Sequence, residues 1–62
     1  MNNEKPTFTP KYDPYFHIEQ TAWGDWRVWG YRCGKWEYVG LQSKHSYAIS
    51  LGKRWKRRHD EK

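Results

Sequence analysis

The stretch that decides the fold is residues 26–40, WRVWGYRCGKWEYVG. It contains three tryptophans, two tyrosines, two arginines and one lysine, but only two aliphatic side chains, Val28 and Val39. Gly34 can adopt the positive φ that a two-residue β-hairpin turn favours, so the stretch predicts two antiparallel strands joined at Cys33-Gly34. Its aromatic side chains could form either a core or a binding face.

A turn at Cys33-Gly34 determines which residues of the hairpin lie opposite each other. Opposed residues share a face of the sheet, and the faces alternate with period two. The predicted pairs are Arg32–Lys35, Tyr31–Trp36, Gly30–Glu37, Trp29–Tyr38, Val28–Val39 and Trp26–Leu41. One face would then hold Trp26, Val28, Val39 and Leu41. The opposite face, called the aromatic face below, would hold Arg27, Trp29, Tyr31, Trp36 and Tyr38.

A further strand precedes this hairpin. Residues 15–22, YFHIEQTA, alternate apolar Phe16 and Ile18 with polar neighbours, a pattern typical of a strand. Residues 23–25 would form a turn, followed by strands over 26–32 and 35–41. This odd-length turn would place Phe16 and Ile18 on the same face as the valines.

A helix is predicted after the strands, over residues 44–59, with Ser43 as its N-cap. Gly52 would lie on the packed side of the helix, where a missing side chain lets the helix approach a sheet closely. The sequence therefore predicts an α+β fold, a three-stranded antiparallel sheet with one C-terminal helix on its aliphatic face. The apolar side of the helix would consist of Tyr47, Ala48, Leu51 and Trp55.

The chain divides into an arm and one small domain. Residues 1–14 carry all three prolines and predict a flexible or extended arm, and residues 15–62 form the sheet-plus-helix domain. One helix covers only one face of such a sheet, which leaves the aromatic face to solvent or to a ligand. The alternative is that the arm folds back through Phe8 and Tyr12 and covers that face.

The charge of the chain favours an anionic partner. The formal net charge is +5, and five of the seven residues in GKRWKRR, residues 52–58, are basic. Bases can stack on the aromatic face while lysine and arginine hold phosphates. We therefore expect a nucleic-acid-binding module, for DNA rather than RNA. Its contact residues would be Arg27, Trp29, Tyr31, Trp36, Tyr38, Lys53, Arg54 and Arg57.

A second class of function stays open, since tryptophan, tyrosine and arginine also dominate protein interfaces. The chain could be a small bacteriophage-type inhibitor or modulator that binds a host protein through the aromatic face. The dispersed histidines and the lack of zinc-ligand spacing predict no enzyme, no metal site and no cofactor. A lone cysteine and the absence of a long apolar run predict a cytoplasmic protein that does not bind membranes.

Residues 16–58 contain a hairpin ending in GKWEYVG, followed by a serine, a lysine and a helix. The residues that define this pattern are Trp26, Gly34, Trp36, Gly40, Ser43, Lys44 and Ala48. The pattern resembles the sheet-plus-helix DNA-binding domains at the N-terminus of tyrosine recombinases, and the plant AP2 domains. The resemblance implies that the sheet enters the DNA major groove through the aromatic face. The chain departs from those families because this face is rich in aromatic residues and short of arginine.

Overall fold

The computed structural model describes residues 5–60, which form three strands and one helix. Strand β1 spans Tyr15–Gln20, β2 spans Trp26–Arg32, β3 spans Lys35–Gln42, and helix α1 spans His45–Asp60. The strands are antiparallel in the order β1-β2-β3, and α1 contacts all three. The predicted α+β architecture is therefore confirmed.

The hairpin between β2 and β3 turns at the predicted residues. Cys33 has a φ of 56° and Gly34 a φ of 80°, as a two-residue turn with two left-handed positions requires. From this turn the register runs as predicted, from Arg32 opposite Lys35 as far as Trp29 opposite Tyr38. The turn thus sets the pairing of the first four residues of each strand.

Beyond Trp29 the predicted register is wrong by one residue. A bulge in β3 leaves Val39 without a partner, so that Gly40, and not Val39, lies opposite Val28. Leu41 then pairs with Arg27 instead of Trp26, and this places it on the aromatic face. It is 49% exposed there, so the prediction that Leu41 belongs to the core is wrong.

Strand β1 ends two residues earlier than predicted. The Thr21 hydroxyl accepts hydrogen bonds from the backbone N–H groups of Trp23 and Asp25, both at 3.2 Å, and this local turn replaces the strand ladder. The loop over residues 21–25 still has an odd length. Phe16 therefore pairs with Gly30 and Ile18 with Val28, on the face that α1 covers.

Helix α1 lies close to the sheet because glycines meet large side chains. Gly52 lies on the packed side of α1, as the sequence predicted, with the Phe16 ring against it, and the Trp55 indole lies against Gly30. Ala48 and Trp55 are buried with Gly52. Tyr47 is 53% exposed, so the prediction that it belongs to the packed side is wrong. A close helix-to-sheet contact thus substitutes for a large aliphatic core.

The start of α1 differs slightly from the prediction. The first helical hydrogen bond runs from the Ala48 N–H to the Lys44 carbonyl, at 3.0 Å. That carbonyl belongs to the N-cap position, so the cap is Lys44 and not Ser43. The glycine inside the helix neither ends nor divides it, since α1 continues through Gly52 to Asp60.

Candidate nucleic-acid interface

The sheet places all five predicted residues of the aromatic face on one side, away from α1. Tyr31 lies opposite Trp36, and Trp29 lies opposite Tyr38. Each pair meets edge to face, with ring centroids 5.1 Å apart for the first and 5.3 Å for the second. Arg27 continues the same side along β2.

The aromatic side chains of this face differ in accessibility. Tyr38, on the edge strand, is 51% exposed, whereas Trp29, on the central strand, is 5% exposed. The Trp29 indole N–H donates to Glu19 Oε2 at 3.2 Å. Trp29 therefore packs the sheet from within, and Tyr38 is the accessible member of that pair.

The charge of Arg27 is balanced inside the sheet. Its guanidinium Nη1 lies 3.2 Å from Glu19 Oε2, and only 18% of its side chain is exposed. The same carboxylate lies 3.7 Å from His17 Nε2 through its other oxygen. A cation held in this way has less to offer a phosphate than a free one at the surface.

The N-terminal arm reaches part of the aromatic face. The Phe8 ring packs against Tyr15, His17 and Trp36, with a centroid distance of 5.2 Å to Trp36. The Phe8 carbonyl also accepts a hydrogen bond from the Trp36 indole, at 3.3 Å. Tyr12, in contrast, is 71% exposed. The arm thus covers the Trp36 end of the face and leaves Tyr38 uncovered.

The predicted cations of α1 form a separate surface, called the basic helix surface below and made up of Lys53, Arg54 and Arg57. All three are exposed and lie away from the buried side of the helix. Within residues 5–60 none of them forms an ion pair, whereas Lys56 pairs with Asp60 at 3.8 Å. With Ser50, the three residues line a shallow depression of about 250 Å³.

The aromatic face and the basic helix surface lie on opposite sides of the molecule, because the sheet and the helix stand between them. They meet at the outer edge of β3. There Tyr38 and Arg54 line the same groove, which has a volume of about 290 Å³. Arg58 lines it as well, although the sequence interpretation omitted it; its spacing of four residues from Arg54 was the available signal.

A second residue that sequence reasoning missed is Trp23. It is 83% exposed at the tip of the turn between β1 and β2. The Trp23 N–H is bound to the Thr21 hydroxyl, and the Gly24 N–H donates to the Thr21 carbonyl at 3.1 Å. The turn thus presents a tryptophan from an ordered backbone.

Residues 5–60 bring together no group of three histidine, cysteine, aspartate or glutamate side chains that could hold a metal ion. Helix α1, the helix in this range, is too short and too polar to cross a membrane. No protein-family model, curated protein or solved structure matches the chain.

Proposed function

We propose that the protein is a small nucleic-acid-binding module, for DNA rather than RNA, whose phosphate contacts come from the basic helix surface. The observation that carries this proposal is the exposure of Lys53, Arg54 and Arg57 on one side of α1, without ion pairs within residues 5–60. Neutralising phosphates and releasing their counterions supplies most of the affinity of non-specific nucleic-acid binding.

In this proposal the aromatic face contributes less to nucleic-acid binding than the sequence predicted. Its arginine is paired with Glu19, and Phe8 covers Trp36. The resemblance to recombinase and AP2 domains would place this face in the major groove. The distribution of unpaired charge supports the approach of nucleic acid from the helix side instead, with Tyr38 as the nearest residue of the aromatic face.

Salt dependence tests the proposal. Fluorescence anisotropy with labelled single- and double-stranded DNA should show binding at low salt that weakens as salt rises. The Arg57→Ala variant should lower the slope of log affinity against log salt by about 1, because one phosphate contact is lost. Arg57→Lys is the matched control, since it retains the charge and should retain the slope. Absence of binding to both substrates at low salt would remove the proposal.

A protein partner is the second candidate, and exposed apolar side chains on the sheet favour it. Tyr38 and Leu41 on the sheet, and Phe8 on the arm, are each between 45% and 51% exposed, and the charge of Arg27, which lies opposite Leu41, is balanced. We propose as the alternative a phage-type modulator that binds a host protein through this surface. Capture from a host lysate should then survive nuclease treatment and moderate salt, and Tyr38→Ala should abolish it.

Both candidates are binding functions. For either of them we propose that the protein acts in the cytoplasm and catalyses no reaction. Cys33 is a free, exposed thiol, which suits a reducing compartment. The histidines do not lie together, since His17 lies on β1 and His45 and His59 lie at the two ends of α1, and this supports the absence of catalysis. Because Cys33 is exposed, an oxidant should cross-link the protein into disulfide-bonded dimers, and Cys33→Ser should prevent this.

A further inference from the structure

The groove at the outer edge of β3, called the edge groove below, is bounded by one strand and one helix. Its volume of about 290 Å³ is near the lower end of the range for small-molecule sites, ~300–1,000 Å³, and suits one planar group. The residues that line it are Glu37, Tyr38 and Val39 on β3, and Leu51, Arg54, Trp55 and Arg58 on α1.

The edge groove lies beside the bulge in β3. Val39 has no partner across the sheet, and Gly40 follows it opposite Val28. Gly40 allows Leu51 to approach closely, since a Cβ at that position would lie 2.9 Å from Leu51 Cδ2. Among residues 5–60, β3 is an edge strand of the sheet, so within this range the groove is open along that side.

The lining of the edge groove combines apolar surface with positive charge. Val39 and Leu51 supply aliphatic surface, while Arg54 and Arg58 lie one helical turn apart and form no ion pair within residues 5–60. The carboxylate of Glu37 is already engaged. Its Oε2 accepts the Trp55 indole N–H at 3.0 Å, and its Oε1 lies 3.8 Å from Arg32 Nη2.

We propose that the edge groove binds one unpaired base of a nucleic acid, while Arg54 and Arg58 contact the adjoining phosphates. This rests on the proposed nucleic-acid function and specifies its substrate class as strands with unpaired bases. A base offers a planar apolar surface joined to an anion, which matches the two halves of the lining, and arginine planes also stack on bases. Tyr38 borders the groove from the aromatic face, where a neighbouring base could stack.

Three duplexes of the same sequence test the inference by fluorescence anisotropy. One is fully paired, one contains a single unpaired nucleotide, and one contains an abasic residue in place of that nucleotide. We expect the unpaired nucleotide to tighten binding about tenfold, and the abasic residue to lose this gain because the phosphates remain but the base is absent. Poly-glutamate is added as a competitor in a parallel series.

Two variants assign the preference to the edge groove. Val39→Ser, which removes aliphatic surface from the groove, should remove the preference for the unpaired nucleotide, whereas Arg58→Ala, which removes one phosphate contact, should weaken all three complexes alike. Circular dichroism confirms that both variants are folded.

Equal affinity for the three duplexes would overturn the edge-groove inference and leave the proposed function standing. Absence of binding to all three at low salt would overturn both. In the competitor series, single-stranded DNA is the reference competitor. If poly-glutamate displaces the labelled duplex more strongly than single-stranded DNA does, the groove binds an acidic protein segment and the inference is overturned.

Discussion

The contact between Gly52 and Phe16 allows a substitution with a counter-intuitive result. Replacing glycine by alanine inside an exposed helix stabilises it by about 1 kcal/mol, because glycine loses more backbone entropy. At Gly52 an added Cβ would instead lie closer than 3.0 Å to ring carbons of Phe16. Either the ring or the helix has to move, and overpacking of this kind costs about 1–3 kcal/mol.

The two effects oppose each other, and the clash is the larger. Three ring carbons lie inside the contact limit, so the overpacking cost is at the upper end of its range, about 2–3 kcal/mol. After the gain in helix propensity of about 1 kcal/mol, we expect Gly52→Ala to lower the free energy of unfolding by about 1–2 kcal/mol, a large share of the ~3–9 kcal/mol typical for a chain of this length. Phe16→Ala removes all the carbons that would clash, Cγ included. In that background Gly52→Ala should raise stability by about 1 kcal/mol, so the sign of the effect reverses.

Urea denaturation followed by far-UV circular dichroism measures all four proteins of this double-mutant cycle. Ser50→Ala, at an exposed position of the same helix, is the control for helix propensity and should stabilise by about 0.5 kcal/mol. If Gly52→Ala stabilised the protein in both backgrounds, α1 would not approach the sheet at this point. The close-packing explanation of the fold would then be wrong.

Two further substitutions test the other face of the sheet. Glu19→Gln removes the charge that holds Arg27 and weakens the acceptor of the Trp29 indole, so the free energy of unfolding measured with urea should fall by about 1 kcal/mol. An unchanged free energy of unfolding would contradict the ion pair. Phe8→Ala should cost about 1 kcal/mol and make tryptophan fluorescence easier to quench with acrylamide. That increase should be absent in a Trp36→Phe background, and its persistence there would show that the arm covers a different tryptophan.

The sequence predicted the local features of the hairpin because each depends on only a few neighbouring residues. Gly34 indicated the turn, and the turn alone sets the pairing from Arg32–Lys35 to Trp29–Tyr38. Gly52 was placed correctly against the sheet for a similar reason. Helical periodicity puts it on the side of the most hydrophobic residues, and only its missing side chain explains why a glycine is there.

The bulge at Val39 could not be predicted in this way. Pairing Val28 with Val39 satisfies the alternation of apolar residues, so the sequence supports a register that the strand does not adopt. A slip of one residue sends every later side chain to the other face, which is why Leu41 left the core. The bulge also places Gly40 next to Leu51, and a short-range pattern does not contain this contact with the helix.

The five residues predicted for the aromatic face do lie on it, but Leu41 lies there as well and the charge of Arg27 is not free. Arg27 was expected to be available, and its partner Glu19 became visible only with the register of β1. That register depends on the turn bound by the Thr21 hydroxyl, which ends β1 two residues early and brings Glu19 opposite Arg27. The sequence thus identified the residues of the face, while the pairing across strands determined which charge was free.

The burial of aromatic residues answers the question raised by the stretch over residues 26–40. The chain contains few aliphatic side chains, so Trp29 and Trp55 pack the two sides of the central strand and act as core. Trp29 is therefore not available to a ligand, and Trp55 exposes only 8% of its surface. The accessible aromatic residues lie at the margins instead, with Tyr38 on the edge strand and Trp23 on a turn. Contact with a partner is therefore expected at the edge of the sheet beside Arg54 and not at the centre of its face.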